Sequence, residues 1–343
     1  MRFSELCKKK KVINIGYVGG SITEDDKYRS HVLKYLEAKY PENSFVEIKG
    51  GVSGTPSYLG VHRFDRDVLS QNPDLVFIEF SVNDFTHYQD LFERSMEGMI
   101  RKSLKQNPDM IISVIGTAAA GYLKYFYFQG KEPEMVQSHK KVAAYYNIPY
   151  INVGKAFSDY IQRSGEDIIK YLPDEVHPNL EGGKIYADEI TNYLDNYDWN
   201  IDFKSEPMTV NNLENATLFM ADKYVAHPWK VSETDMRGKN PTFIYSDEVG
   251  ATLELDFYGS VFGLYSTRDG DSGDLEFCID GGEWGKVSMW DTFCLSFDRA
   301  CCEILADNLE KTHHHIKMRI PETKNEQSKG HAIRIGAFLW EKE

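Results

Sequence analysis

From residue 12 to about residue 196, short apolar runs alternate with stretches in which apolar residues recur every three or four positions. Residues 12–18, 44–48, 74–80, 110–115 and 149–153 have the length and β-branched content of buried strands. Between them, residues 28–40 place Val32, Leu33, Leu36 and Tyr40 on one helical face, and residues 58–69 do the same with Val61, Phe64 and Val68. Leu91, Phe92, Met96, Met99, Ile100 and Leu104 mark a third helix, and residues 135–146 and 180–194 two more. Strands that alternate with amphipathic helices pair in parallel and are covered on both faces, so the pattern predicts a three-layer α/β/α sandwich, flavodoxin-like in outline. In such a sheet, functional residues gather at the carboxyl edge of the strands.

After about residue 205 the period changes. Leu253, Leu255 and Phe257 alternate with polar neighbours, and short runs recur at 261–265, 275–279, 287–290, 316–320 and 332–340. Asp280-Gly281-Gly282 is a turn signal between two of them. The expectation is an α/β domain over residues 1–204 and an all-β, jelly-roll sandwich domain over residues 205–343. Residues 197–208 contain no Gly/Ser-rich linker, so the domains are expected to pack rather than swing freely.

Composition narrows the function. Across 343 residues, 39 Lys plus Arg stand against 53 Asp plus Glu, a formal charge of −14 that repels nucleic acid and anionic membrane surfaces. A neutral or weakly charged small-molecule or glycan substrate fits better. Five cysteines without CxxC spacing, Cys301 and Cys302 adjacent, do not read as a secreted disulfide framework, and a reducing, cytoplasmic location is expected. Lys8–Lys11 followed by an apolar run has the outline of a leader peptide, but the run is short, contains Asn14, and reads instead as the first strand.

Candidate chemistry lies where the strands end. The first strand runs into Gly19-Gly20-Ser21, the second into Gly50-Gly51-Val52-Ser53-Gly54-Thr55, the third into Ser81-Val82-Asn83-Asp84. Asp174-Glu175-Val176-His177 precedes the last helix. A hydroxyl, an imidazole, a carboxylate and hydrogen-bond donors are what acyl transfer requires. Each has a plainer alternative: Ser21 as a helix cap, Gly54 as a turn, Asn83 as a cap and Asp174 as a solvated loop acid. His177 is the histidine at a sheet edge with an acid nearby, and Asp174 three residues earlier can reach its second ring nitrogen. Glu175 is the alternative acid, and Asp84 reads as structural.

Gly-Gly-Ser-Ile-Thr, Gly-Val-Ser-Gly-Thr, Ser-Val-Asn-Asp and Asp-Glu-Val-His, in that order, resemble the four blocks of the SGNH (GDSL-like) hydrolase superfamily over residues 12–196. The resemblance implies Ser21 as nucleophile, Asp174 and His177 as the rest of a triad, and an oxyanion hole from Ser21, Gly54 and Asn83. It implies a metal-independent serine esterase without cofactor. Gly20 stands where the name-giving motif has Asp, Ile22 where it has Leu, and Ser81 where many members have Gly. The second domain resembles the galactose-binding-like jelly roll found beside carbohydrate-active catalytic domains. Together these imply hydrolysis of short acyl esters, acetyl first, on a carbohydrate. A lipase or thioesterase acting on longer chains, and a glycan-binding protein without activity, are the alternatives. If His177 is the base, activity falls below a pH of roughly 6.5, the ordinary imidazole value.

Other features are weaker. No Gly-Lys-Ser/Thr loop is present, which disfavours a phosphate cradle. His313, His314 and His315 alternate across a strand and read as an exposed face rather than a metal site. Residues 122–128, with four consecutive aromatics, suit an acyl-pocket wall, a homo-oligomer contact or core packing. Trp229, Trp284 and Trp290 suit either stacking on a sugar ring or core packing, and core is the favoured reading.

Overall fold

The computed structural model describes residues 1–199, 201, 206–232 and 242–343. The chain divides into two compact units, Met1–Glu214 and Asn215–Glu343. The boundary expected at residues 204 and 205 lies outside the described residues.

Among the described residues of the first unit, five strands form a parallel sheet in the order β2-β1-β3-β4-β5. They are β1 (Val12–Gly19), β2 (Ser44–Gly51), β3 (Leu75–Glu79), β4 (Ile111–Ile115) and β5 (Tyr150–Ile151). Helices α1 (Phe3–Lys9), α2 (Ser21–Glu24), α3 (Lys27–Lys39), α4 (Ser57–Asp67), α5 (Gln89–Gln106), α6 (Ala120–Tyr125), α7 (Glu134–Tyr145), α8 (Val153–Ser164) and α9 (Leu180–Asn196) complete the layers. α1, α3, α8 and α9 pack together on one face, where Ile13, Ile15, Tyr17, Leu75 and Phe77 meet Val32, Leu36, Phe157 and Ile190. α4, α5 and α7 cover the other. β3 and β4 are buried at every position, as strands covered on both faces must be.

α5 departs from an amphipathic helix, because Glu93, Arg94, Glu97, Arg101 and Lys102 are all buried on it. Glu93 is held by Ser138 and Lys141, and Lys102 by the Val61 carbonyl and Asp65, while residues 206–214 meet Glu97 and Arg101. Glu97 accepts the backbone N–H groups of Met208 (2.5 Å) and Thr209 (2.8 Å), and the Arg101 Nε donates to Glu214 at 2.6 Å. Charged side chains on α5 thus stitch this segment to the α/β unit, which is why the unit extends to Glu214.

Among the described residues of the second unit, ten strands form two antiparallel sheets. They are β6 (Ala216–Met220), β7 (Lys230–Ser232), β8 (Phe243–Ser246), β9 (Thr252–Gly259), β10 (Phe262–Arg268), β11 (Asp274–Ile279), β12 (Trp284–Ser288), β13 (Arg299–Ala306), β14 (Thr312–Arg319) and β15 (Ile333–Glu341). One sheet has the order β13-β10-β15-β8-β7 with β6 also on β15, the other β12-β11-β14-β9. Alternate residues of both, including Leu253, Leu255, Phe257, Leu264, Ile316 and Phe338, build one shared core. The unit is therefore a β-sandwich.

Candidate active site

The chain passes from β1 to β2 on one side and returns to β3 on the other, so the carboxyl ends of β1 and β3 flank a topological switch point. Ser21 leaves the end of β1 as the first residue of α2. Asn83 leaves the end of β3, its N–H bonded to the Phe80 carbonyl at 2.9 Å. Gly20 is what lets the two approach. A Cβ there would fall 1.9 Å from Asn83 Oδ1, so the Asn83 amide occupies the space that any side chain at residue 20 would fill. The Gly found where the name-giving motif has Asp is thus a packing requirement of this chain.

His177 reaches across from the loop before α9. Its Nε2 lies 2.7 Å from Ser21 Oγ, and its Nδ1 lies 2.7 Å from Asp174 Oδ2. The other Asp174 oxygen accepts the backbone N–H groups of Val176 (3.0 Å) and His177 (2.7 Å). Wrapping the chain around one carboxylate forces Glu175 into the left-handed region at φ 67°. Its carbonyl is held by Ala120 N at 2.7 Å and its carboxylate by Lys124 Nζ at 2.8 Å, so Glu175 faces away from the ring. Burial raises the Asp174 pKa, but the hydrogen bonds from the His177 ring and the two N–H groups outweigh it and hold the carboxyl at about 2. With Asp174 ionised, Nδ1 is the donor to it. Nε2 of the neutral ring is then left to accept from the Ser21 hydroxyl.

Gly54 lies on the loop that leaves β2, in the left-handed region at φ 70°. That loop is tied to α2: Glu24 accepts Ser53 N at 2.8 Å and also Ser53 Oγ, while Val52 N donates to Gly19 O at 3.0 Å. Beneath the site, fully buried Arg63 donates from Nη2 to Gly19 O at 2.9 Å and from Nη1 to the Gly50 carbonyl. Buried Glu79 accepts Thr23 Oγ1 (2.9 Å) and Thr117 Oγ1 (2.6 Å), joining the ends of β1, β3 and β4. Burial pushes its carboxyl pKa up, against the pull of those hydroxyls. Asp84 is a structural pin, accepting Ser57 N at 2.8 Å and His139 Nε2 at 2.9 Å. Glu24, Arg63 and Glu79 carry no motif in the sequence, and only their contacts reveal them.

Residues 17–185 match the GDSL-like lipase/acylhydrolase family. Through its first unit, the chain belongs to that family. It is accordingly a carboxylic ester hydrolase. An acetylxylan esterase of Geobacillus stearothermophilus is 23% identical over 176 residues, which are 47% of this chain and 77% of that protein. A two-domain esterase active on acetylated mannans, solved with mannopentaose, is 22% identical with a TM-score of 0.84, over 99% of this chain and 93% of its own. A second structure of a two-domain esterase active on acetylated mannans superposes with a TM-score of 0.84 at 22% identity, over 99% of this chain and 94% of its own. That likeness shows that this GDSL-like hydrolase shares the two-domain fold.

Among the described residues of the GDSL-like hydrolase, no group of three or more His, Cys, Asp or Glu side chains is placed to hold a metal ion. His314 is buried within β14 rather than exposed, its Nδ1 2.7 Å from Asp280 Oδ2 and its Nε2 2.8 Å from the Glu310 carbonyl. His313 and His315 point to the opposite, exposed face. The aromatic run at 122–128 is a broken helix, α6 to Tyr125 and then a 3-10 turn over Tyr127–Gln129. Only part of it is core: Tyr127 is buried, Tyr125 is 68% exposed. Trp229 and Trp290 are buried as expected, whereas Trp284 is 41% exposed with the Arg319 guanidinium 4.0 Å above its ring.

Proposed function

We propose that this GDSL-like hydrolase is a serine esterase that removes acetyl groups from hydroxyl oxygens of a carbohydrate, of the acetylated xylan or mannan type. The observation that carries the reading is the line Ser21 Oγ, His177 Nε2, His177 Nδ1, Asp174 Oδ2, with 2.7 Å at each contact. The names of the xylan- and mannan-active relatives supply the substrate class.

In this mechanism His177 Nε2 takes the Ser21 proton as Oγ bonds to the ester carbonyl carbon, and Asp174 stabilises the resulting imidazolium. The carbonyl oxygen becomes an anion. Ser21 N–H, at the start of α2 where no intrahelical acceptor exists, receives it with Gly54 N–H and the Asn83 amide. Collapse breaks the bond to the sugar oxygen, which leaves with the proton from Nε2. Water then repeats the cycle on the acetyl-Ser21 intermediate, giving up its proton to His177 and releasing acetate and free Ser21.

The test is hydrolysis of p-nitrophenyl esters from acetate to octanoate, together with acetate release from acetylated xylan and mannan, with Ser21→Ala as control. Acetate is expected to be the fastest of the series, and Ser21→Ala to lose about 10⁴-fold or more. Preference for octanoate would put the lipase reading first, and activity that survives Ser21→Ala would end the serine mechanism.

A further inference from the structure

An aromatic cleft opens beside the proposed oxyanion donor, within the first unit. It has a volume of about 410 Å³, in the range of small-ligand clefts, and its walls include Val82, Phe85, Thr86, Tyr122, Phe126 and Met135. Val82 immediately precedes Asn83. Tyr122 reaches back to the same strand end, its hydroxyl donating to the Ser81 carbonyl at 3.1 Å. α6, which carries Tyr122, is bound at its start by the Glu175 carbonyl and near its end by the Glu175 carboxylate, so the cleft wall is fastened to the loop that holds Asp174 and His177.

The aromatics are fixed, Phe85 exposed and Tyr122 and Phe126 half-buried. Phe85 is 50% exposed and stands edge-to-face on buried Phe92, with centroids 5.3 Å apart at 84°. Tyr122 and Phe126 meet edge-to-face at 6.1 Å and 76°. A large exposed aromatic held in one orientation is a costly feature for a soluble surface unless a ligand covers it. The polar rim indicates which ligand. Exposed Thr86 and Glu134 stand at the same cleft, one offering a hydroxyl and the other a carboxylate. An alkyl chain laid there would desolvate the carboxylate without a partner. A pyranose ring has an apolar C–H face for the aromatics and hydroxyls for the rim.

We propose that this cleft is a sugar subsite, in which a pyranose ring of the alcohol half of the ester stacks on Phe85 and Phe126. The proposal rests on the acetyl esterase reading above and names where that substrate's carbohydrate is held.

The test compares kcat/KM on an acetylated xylo- or manno-oligosaccharide with kcat/KM on p-nitrophenyl acetate. Phe85→Ala and Phe126→Ala are each expected to lower the ratio of the two by about tenfold, the effect of removing an aromatic anchor from a pocket. Phe85→Trp, which keeps a stacking face, is expected to restore it. An unchanged ratio in both alanine variants overturns the subsite, as does a loss confined to p-nitrophenyl octanoate, which would make the cleft an acyl pocket. A second measurement does not depend on turnover: calorimetric titration of the Ser21→Ala protein with the unacetylated oligosaccharide, with and without Phe85→Ala. Weaker binding with the added substitution supports the subsite, and equal binding or none overturns it. If the wild type releases acetate from no ester, the esterase reading fails, and the titration alone then decides the cleft.

Discussion

Asn83 and Gly20 form one device at the scale of single residues. Removing an oxyanion donor typically costs about 100- to 1000-fold in turnover, and Asn83→Ala is expected to fall in that range with KM changed far less. Gly20→Ala should imitate it without touching a reacting group. The new methyl would land 1.9 Å from Asn83 Oδ1, and a displacement of about 1 Å in such an amide costs about 100-fold. Gly20 has φ −87°, outside the left-handed region that favours glycine, so the contact with Asn83 is what the change tests. Steady-state kinetics with a thermal melt checks both variants. A Gly20→Ala enzyme with wild-type kcat would show that Asn83 has no part in turnover. The residues of this site were legible in the sequence because they sit at the ends of apolar runs, where polar residues stand out. The spacing of Gly20 against Asn83 was not, since 62 residues of chain separate two groups that fold into contact.

At the scale of elements, α4 shows how a helix that positions the site also carries a titration cost. It holds Arg63 beneath β1 and β2, and one residue earlier it buries His62, whose Nδ1 lies 2.7 Å from the Tyr58 carbonyl. Burial drives the His62 pKa down to about 3, with the Lys102 charge adding to the effect and the Tyr58 carbonyl opposing it. Below the ordinary value near 6.5 the unfolded chain therefore takes a proton that the folded chain refuses. The stability His62 contributes is complete above that value and is lost as pH falls toward about 3. Between pH 6.5 and 5 the loss is about 2 kcal/mol. His62→Phe, which keeps a ring at the site and removes the proton, should flatten that slope in urea unfolding at the two pH values. An unaltered slope would mean that His62 is protonated in the fold. The elements that sequence patterning missed fail for a related reason, the burial of charge. β13 turns Cys301, Glu303 and Leu305 inward, and the charged middle position hides the strand's alternation. In the fold Arg268 supplies two donors to Glu303, at 2.7 and 3.0 Å, and the position is satisfied. The charged face of α5 hid the 206–214 segment in the same way.

The whole molecule adds a field that no single element carries. Parallel strands that are largely apolar, β3 and β4 above all, made the α/β unit readable from sequence, and alternation made most of the β-sandwich readable. The short, mixed strands β6, β7 and β8 were not, because they are held by their neighbours more than by their own pattern. Charge is the whole-chain property with a functional consequence. At −14 the protein repels an anionic polymer over a distance set by salt, about 30 Å at 10 mM and about 8 Å at 150 mM. A neutral acetylated mannan feels none of this, whereas an acetylated glycan bearing uronate groups must approach against it. Raising the salt across that range should therefore raise kcat/KM on the uronate-bearing glycan by about two- to threefold, and leave the neutral glycan within error. Because steering acts on encounter, the change belongs in kcat/KM, with kcat at saturation unmoved. Acetate release measured from both polymers at the two salt concentrations checks it, and a fall on the uronate-bearing glycan would reveal a local cationic contact strong enough to override the net charge.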